Sequence, residues 1–218
     1  MHCFDRSTPL EETLETLNDL VRRGKVRYLG VSNFTPSQLV RARMVCAAQG
    51  WSNVAALQAE YSLMVREAEW ELLPACVEEG LGLLAWSPLA GGWLSGKYRQ
   101  GEPTPGDSRA GRGDRWDDLP EQRGSELAWR VIGTLRAASG EIGKTPAQVA
   151  LNWLLSRPGV TAPVIGARTA DQLEENLGSA GWSLPAEWVK KLDEASAIPL
   201  PYPYRFIERY TRRRNGGD

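Results

Sequence analysis

Apolar residues recur along this chain in two alternating patterns. Spacings of three and four residues between Leu10 and Val21 predict an amphipathic helix, which ends at Gly24. Short apolar runs predict strands, and the run at 81–86 is apolar on both faces, as expected of a parallel strand covered on both sides. Since strands and capped helices alternate through most of the chain, the pattern predicts a parallel α/β fold.

The predicted elements follow from these patterns. The expected strands are at 26–31, 54–58, 81–86 and 160–165, with a stub at 2–4. The expected helices are at 8–23, 35–48, 67–79, 122–142, 145–156, 170–178 and 185–197. Thr-Pro pairs open the helices at residues 8, 35 and 145, and Thr8 with Glu11 predicts a capping box.

Two segments fall outside this alternation. Residues 90–122 are rich in Gly, Pro, Asp and Arg and predict an excursion loop. Prolines at 199, 201 and 203 predict an extended, packed tail over 199–218, and its Arg212–Arg214 cluster is expected to be solvated.

The number of predicted strands is small for a closed barrel. Four strands and a stub are expected, whereas a (β/α)8 barrel needs eight strands and roughly 250 residues. We therefore predict an α/β fold of the (β/α)8 TIM-barrel type that is N-terminally truncated, with about strands 4 to 8, extra helices and a C-terminal tail. A single partial barrel domain is expected over residues 1–218, and its open strand edges invite aggregation.

Composition narrows the class of function. The formal net charge is −1, from 26 basic and 27 acidic residues, which gives no bulk attraction for nucleic acid or an anionic membrane. The sequence has no apolar run long enough to span a membrane and no signal peptide pattern. Cys3, Cys46 and Cys76 are scattered and indicate reduced thiols, so a cytoplasmic protein is expected. One histidine and three dispersed cysteines do not predict a metal site.

Polar and aromatic residues stand where the predicted strands end. They are His2, Ser32, Asn33, Gln58, Glu60, Trp86, Ser87, Gly166 and Arg168. In a β/α barrel the carboxyl ends of the strands share one face, which carries the active site. The alternative for Ser32 and Asn33 is that they only prepare the cap of the next helix.

Three features suit a ligand with phosphates and a flat ring. Residues 91–97 match the phosphate-loop spacing G-x-x-x-x-G-K, but Tyr98 stands where Ser or Thr should hold magnesium, which argues against an ATP site. The glycines and Lys97 still suit a pyrophosphate. Arg168 near a helix start suits a phosphate, and Trp86 suits stacking on a heterocycle. The alternatives are solvation for Arg168 and packing for Trp86.

Several stretches, taken in order, resemble the aldo-keto reductase family. They are Thr8–Leu14, Gly24–Phe34, Gln58–Leu63, Trp86–Gly92, Ser95–Tyr98 and Gln172–Leu177. The Trp-Ser-Pro-Leu form of residues 86–89 resembles the branch that includes bacterial reductases and voltage-gated potassium channel β subunits.

The resemblance implies a (β/α)8 barrel that reduces aldehydes and ketones with NADPH, and therefore NADP(H) as cofactor and a small carbonyl compound as substrate. It implies that the nicotinamide carboxamide is held by Ser32, Asn33 and Gln58, with Trp86 stacked on the ring. The residues implied around the pyrophosphate are Ser87, Pro88, Leu89, Gly91 and Lys97. Those implied around the adenosine and its 2′-phosphate are Gly166, Arg168, Gln172, Glu175 and Asn176, and Arg109 is expected to reach the cofactor from the excursion loop.

His2 is the only catalytic residue that the resemblance transfers. It matches the family histidine that orients and polarises the substrate carbonyl. The Asp, Tyr and Lys that complete the family tetrad match no position of this sequence. We therefore expect a carbonyl reductase present here as a fragment without its proton donor. The alternative is a catalytically inactive homologue that binds a nucleotide or a partner. The chain alone is expected to lack reductase activity and to bind nucleotide weakly or not at all, because a site needs its rigid scaffold.

Overall fold

One parallel sheet organises the molecule. The computed structural model describes residues 1–106, 108, 111 and 124–214. Within these ranges the sheet has four strands in chain order, namely β1 (Leu29–Ser32), β2 (Val54–Glu60), β3 (Gly82–Trp86) and β4 (Val160–Pro163). The predicted parallel α/β class is confirmed.

The first strand is shorter than predicted. It begins at Leu29 rather than at residue 26. The reason is local, because the backbone N–H groups of Lys25 and Val26 both donate to the Leu20 carbonyl and close the preceding helix. Those two residues are therefore held by the helix end and not by the sheet.

The register of the sheet shifts once between Leu29 and Gly30 and once between Leu83 and Leu84. Val31 pairs with Leu57, Leu57 pairs with Leu83, and Leu83 pairs with Val160. Strands β3 and β4 approach closely at Gly82, where an added Cβ would lie 2.9 Å from the Thr161 hydroxyl oxygen. A side chain at residue 82 would therefore require the Thr161 side chain to move.

Eight α-helices accompany the strands in the described part of the chain. They are α1 (Leu10–Arg22), α2 (Pro36–Gln49), α3 (Leu72–Glu78), α4 (Glu126–Ile142), α5 (Pro146–Leu155), α6 (Ala170–Leu177), α7 (Ala186–Ala195) and α8 (Tyr204–Arg214). Two 3₁₀ helices are found at Glu67–Glu69 and Ala90–Ser95. No helix of the described chain is long and apolar enough to cross a membrane.

Two of the three predicted Thr-Pro caps are confirmed. Thr35 and Thr145 each accept a hydrogen bond from the backbone three residues later and complete a capping box with a glutamine. The capping box predicted at Thr8 is wrong, because α1 begins at Leu10 and the Thr8 hydroxyl donates to Asp5 at 2.6 Å.

The helix predicted at 67–79 is interrupted. A 3₁₀ turn at Glu67–Glu69 precedes α3, which begins only at Leu72. Pro74 explains the break, because a proline is tolerated in the first turn of a helix but would clash with the carbonyl of Trp70 in a continuous one.

The tail predicted to be extended is helical from Tyr204. The last proline, Pro203, follows a cis peptide bond, and α8 begins directly after it. The cluster Arg212–Arg214 therefore belongs to a helix, and Arg212 forms an ion pair with Glu208. A proline disrupts a helix that would continue through it, but the residues that follow it in the chain can still form a helix.

The two faces of the sheet differ in burial. Side chains of one face, such as Val31, Leu57 and Leu83, are buried under the helices. Side chains of the opposite face, such as Gln58 and Leu84, are only partly buried. This alternation with period two places the core between the sheet and α1, α2, α3 and α5.

The N-terminal segment adds one residue to the sheet. The amino group of Met1 donates to the Gly30 carbonyl at 2.9 Å, and the Met1 carbonyl accepts from the Ser32 N–H at 2.9 Å. This is the bonding pattern of a parallel pair. The strand stub predicted at residues 2–4 is therefore wrong, because Met1 pairs with the sheet and His2–Phe4 do not form a strand.

Candidate functional site

Asn33 connects three strand ends at the carboxyl edge of the sheet. Its backbone N–H donates to the Gln58 carbonyl at 3.1 Å. Its side-chain oxygen accepts from the Trp86 indole N–H at 3.0 Å, and its side-chain nitrogen donates to the His2 carbonyl at 3.1 Å. The edge predicted from the strand ends therefore brings His2, Asn33, Gln58 and Trp86 together.

Unusual backbone conformations concentrate at this edge. Three non-glycine residues of the described chain have positive φ, and they are Asn33 at 56°, Ser87 at 53° and Ala90 at 48°. Asn tolerates the left-handed region, but Ser and Ala adopt it at a cost of about 1–3 kcal/mol each. Such strain is typical of segments that a functional site holds in place.

Ser32 is a buried polar residue without a hydrogen-bond partner for its side chain. It is 6% exposed, and its hydroxyl oxygen contacts no donor or acceptor. It pairs in register with Gln58, whose side chain is partly buried on the open face of the sheet. A buried unsatisfied hydroxyl costs about 1–3 kcal/mol, so this position favours a ligand that completes the hydrogen bond.

The segment after β3 forms a cradle with a cation. Gly91 and Gly92 both have positive φ, and a Cβ added to Gly92 would lie 3.0 Å from the Lys97 ammonium nitrogen. The Ser95 hydroxyl donates to the Gly92 carbonyl at 2.7 Å and helps to hold the turn. The structure thus places Lys97 against Gly92, the residue after the predicted Gly91, and it buries the predicted Pro88.

The predicted adenosine residues lie beyond β4. The Val164 N–H donates to the Ala85 carbonyl at 2.7 Å, so the chain leading to Gly166 and Arg168 continues along β3. Both of those residues are exposed. Arg109, like much of the predicted excursion loop, lies outside the described residues.

The residues predicted on α6 differ in what they contact. The Gln172 side-chain oxygen accepts from the Arg168 N–H at 2.9 Å, so this amide is engaged in the turn that opens α6. Thr169 caps the same helix through the Gln172 N–H. Glu175 is exposed and Asn176 is buried. Only Arg168 and Glu175 of this group present exposed side chains to solvent.

His2 has an exposed side chain on an anchored backbone. Its carbonyl is held by Asn33, and the ring of Phe4 packs edge-on against Phe34 at 5.3 Å. Asp5 accepts hydrogen bonds from the Ser7 and Thr8 side chains, which lowers the pKa of Asp5 to about 2. The turn after His2 is therefore fixed, although the imidazole itself is open to solvent.

A cavity beside Asn33 was missed by the sequence analysis. Its volume is about 440 Å³, and its walls include Asn33, Glu60, Trp70 and Tyr204. The rings of Trp70 and Tyr204 stack at 6.1 Å, and a hydrogen bond to Glu71 raises the pKa of Tyr204. The sequence did not indicate this cavity, because the prolines before Tyr204 predicted an extended tail and not a helix that brings Tyr204 to the cavity wall.

A second polar cluster lies apart from the sheet edge. The Arg66 guanidinium donates to both Glu69 oxygens at 2.7 and 2.8 Å and to the Ser196 hydroxyl at 2.8 Å. The Trp153 indole N–H donates to Asp193 at 2.9 Å, and the Arg66 guanidinium lies 5.2 Å from the Trp153 ring. This arrangement ties the segment after β2 to α5 and α7.

Tyr61 belongs to the same closed cluster. Its hydroxyl donates to Glu69 at 2.6 Å, and its side chain is fully buried. Burial first, and then the hydrogen bond to the Glu69 carboxylate, raise the pKa of Tyr61 far above its usual range. A phenol so enclosed is unsuited to donate a proton to a ligand.

No cluster of three or more His, Cys, Asp or Glu side chains that suits a metal ion is found among the residues that the structure describes. The polar groups at the sheet edge include the Ser32 hydroxyl, the Asn33 and Gln58 amides and the Trp86 indole. Such groups form hydrogen bonds and stacking contacts with an organic ligand.

Comparison with known proteins agrees with this architecture. The model of the Aldo/keto reductase family matches residues 1–197. An uncharacterised oxidoreductase of Bacillus subtilis is 39% identical over 195 residues, which cover 89% of this chain and 56% of that protein. A versiconal hemiacetal acetate reductase of Aspergillus parasiticus is 31% identical over 89% of this chain and 55% of its own length.

A relative of a different description also matches. A probable voltage-gated potassium channel subunit beta of Arabidopsis thaliana is 33% identical over 81% of this chain and 53% of its own length. The chain thus spans about half the length of the curated relatives it matches.

Proposed function

We propose, because this chain belongs to the aldo/keto reductase family, that its strand edge holds the cofactor of an NADPH-dependent reductase of aldehydes and ketones. The family is one of oxidoreductases that act on carbonyl compounds. The observation that carries the proposal is the buried Ser32 hydroxyl, which has no partner and stands beside the amide of Asn33 at the strand ends.

The nicotinamide end of the cofactor fits this edge. A carboxamide has both a donor and an acceptor, which the Ser32 hydroxyl and the Gln58 side chain complement. Trp86 is partly buried and offers an aromatic ring for stacking. These groups come from three adjacent strands, so the sheet itself sets their spacing.

The phosphate end fits the loops after β3 and β4. The left-handed backbone at Gly91 carries no side chain that would shield its N–H group, and Lys97 adds a positive charge beside Gly92. Arg168 precedes the N-terminus of α6, where the helix dipole also favours an anion. The guanidinium favours the 2′-phosphate and hence NADPH over NADH.

The roles of the chain's own residues follow from these positions. A bound nicotinamide supplies hydride transfer to a carbonyl carbon. Ser32, Gln58 and Trp86 orient the ring, and the His2 imidazole donates a hydrogen bond that polarises the carbonyl oxygen. We assign the role of proton donor to no residue that the structure describes, because the family tyrosine matches no position of the sequence and Tyr61 is buried and bonded to Glu69.

The experiment is a titration of the isotope-labelled chain with NADPH, followed by nuclear magnetic resonance. We expect weak binding, in the millimolar range, with shifts at the Trp86 indole and at the backbone amides of Gly91 and Gly92. Lys97→Ala should weaken binding about tenfold, while Lys190→Ala, an exposed lysine on α7, should leave it unchanged. Equal shifts in wild type and Lys97→Ala, or no shift at this edge, would overturn the proposed site.

Activity separates the two candidate roles. We expect no oxidation of NADPH by the chain alone with a reactive aldehyde, because no proton donor is assigned. Measurable oxidation that His2→Ala abolishes would contradict this expectation. Tight, saturable quenching of tryptophan fluorescence by NADPH without turnover would favour the non-catalytic nucleotide-binding homologue instead.

A further inference from the structure

We infer that Asn33 is a positioning residue that joins the Trp86 ring to the His2 backbone through one amide. The Asn33 side-chain oxygen accepts from the Trp86 indole N–H at 3.0 Å, and its nitrogen donates to the His2 carbonyl at 3.1 Å. The inference rests on the proposed function, which assigns Trp86 to the nicotinamide ring and His2 to the carbonyl. Besides the proposed contact with the cofactor, it gives Asn33 a second role as a support of its two neighbours.

The contact crosses a strand. Asn33 follows β1 and Trp86 ends β3, and β2 lies between these two strands. Two strand spacings separate the two backbones by about 10 Å. The short Asn33 side chain can therefore be reached only by a long side chain from β3. Tryptophan has the reach and an N–H donor at its far side, whereas phenylalanine of the same position has no donor.

The backbone of Asn33 is arranged for this contact. Its φ of 56° is left-handed, and its N–H is held by the Gln58 carbonyl at 3.1 Å. Asparagine tolerates this conformation better than most residues. The backbone conformation of Asn33 and its N–H bond therefore orient the side chain, independently of its contacts with Trp86 and His2.

The amide keeps some capacity after both bonds. Asn33 has two N–H groups and two lone pairs on its oxygen, and each end uses one. The remaining N–H and lone pair can still meet a carboxamide. Asn33 would therefore fix both the orientation of the Trp86 ring and the position of the His2 backbone from which the imidazole extends.

The test separates the two halves of the amide. Asn33→Asp keeps the acceptor for Trp86 but removes the donor to His2, and Asn33→Gly removes both while tolerating positive φ. Trp86→Phe identifies the indole resonance among nine tryptophans, and His2 is the only histidine, so both reporters are unambiguous. Trp182→Phe is the matched control, since its indole N–H donates to the Gly178 carbonyl at 3.0 Å away from the strand ends.

Hydrogen exchange at the Trp86 indole and the chemical shifts of the His2 imidazole are measured without cofactor. We expect the indole protection to persist in Asn33→Asp and to be lost in Asn33→Gly, and the His2 shifts to move in both. NADPH affinity should fall roughly two- to tenfold in Trp86→Phe, which loses one hydrogen bond, and at least as far in Asn33→Gly, which loses two. It should stay unchanged in Trp182→Phe.

Each failure has its own signature. Unchanged indole protection in Asn33→Gly would overturn the positioning role, even if NADPH still shifts the edge resonances. Loss of protection as expected, with no NADPH response in the wild-type chain, would overturn the proposed function and reduce the Asn33 contacts to a structural link.

Discussion

Two tryptophans of this molecule make nearly the same hydrogen bond in opposite surroundings. The Trp153 indole donates to Asp193 at 2.9 Å, and the Trp86 indole donates to Asn33 at 3.0 Å. Trp153 is fully buried with the Arg157 guanidinium 4.6 Å from its ring, whereas Trp86 is partly buried at the sheet edge. The first ring completes a core, and the second is left where a ligand can reach it.

The polar groups around the two rings differ in the same way. Near Trp153, Glu69 accepts hydrogen bonds from both Arg66 and Tyr61. The Arg157 guanidinium lies over the Trp153 ring, although its buried Nε has no hydrogen-bond partner. Near Trp86, the Ser32 hydroxyl has neither a partner nor a ring contact. Polar residues alone therefore do not mark a site, whereas an unsatisfied group at an open edge does.

The largest expected effect comes from opening the closed cluster. Arg66→Ala should lower the free energy of unfolding by about 3 kcal/mol, because it removes a buried guanidinium with its hydrogen bonds to Glu69 and Ser196 and leaves the partly buried Glu69 carboxylate without its cation. Arg41→Ala is the matched control, since Arg41 pairs with Glu11 at 2.9 Å but is 59% exposed. That change should cost no more than about 1 kcal/mol. Urea unfolding measures both, and equal losses would mean that the Arg66 cluster is no tighter than a surface pair.

A pair of serines sharpens the comparison further. Ser196→Ala should cost about 1–3 kcal/mol, because the Ser196 hydroxyl accepts from Arg66 and donates to the Leu192 carbonyl at 2.6 Å. Ser32→Ala removes a buried hydroxyl that has no partner, so the free energy of unfolding should rise by about 1–3 kcal/mol. Urea unfolding of the two variants gives the stability difference.

Binding should show the reverse order for the same two serines. The NADPH-induced shift at the Trp86 indole should weaken in Ser32→Ala and persist in Ser196→Ala. A loss of stability in Ser32→Ala as large as in Ser196→Ala would show that the Ser32 hydroxyl has a structural partner after all.

The smallest expected effect concerns an exposed thiol beside the strand edge and a buried thiol on α3. Cys3 is exposed next to His2, whereas Cys76 is buried, and burial raises the pKa of Cys76 from 9.0 to about 11. Iodoacetamide at pH 8 should therefore modify Cys3 far faster than Cys76, because only the thiolate reacts. Mass spectrometry of the labelled chain gives the two rates, and similar rates would mean that the core opens readily.

The raised pKa also sets the sign of a pH effect. The folded chain holds the Cys76 proton more tightly than the unfolded chain does, so this thiol stabilises the fold fully below pH 9. That contribution is lost as the pH rises through about 11. Cys76→Ala should remove this part of the alkaline slope in a series of urea midpoints.

The elements that could be predicted from sequence are those with local causes. The caps at Thr35 and Thr145 depend on a hydroxyl and a glutamine three residues apart, and the sequence contains both. Pro74 also indicated the interruption before α3, but the spacing of apolar residues predicted one continuous helix. Helix α8 was missed because the prolines before it were taken to govern the residues behind them.

The site could be predicted only as far as the strand ends. Parallel strands bring their carboxyl ends to one edge whatever the register, so His2, Asn33 and Trp86 were expected near one another. The bond between Asn33 and Trp86 could not be foreseen, because it depends on the register of two strands that do not touch. Likewise, whether the Ser32 hydroxyl is satisfied depends on tertiary packing, which the sequence pattern does not report.

The register of the sheet has a consequence for how the chain reaches its fold. Val31, Leu57 and Leu83 pair in succession at intervals of 26 residues, whereas Leu83 and its partner Val160 are 77 residues apart. Closing the longer loop costs about 1 kcal/mol more chain entropy than closing either shorter one. The first three strands therefore have a kinetic advantage in assembling, and β4, which leads to Arg168, joins a sheet that already exists.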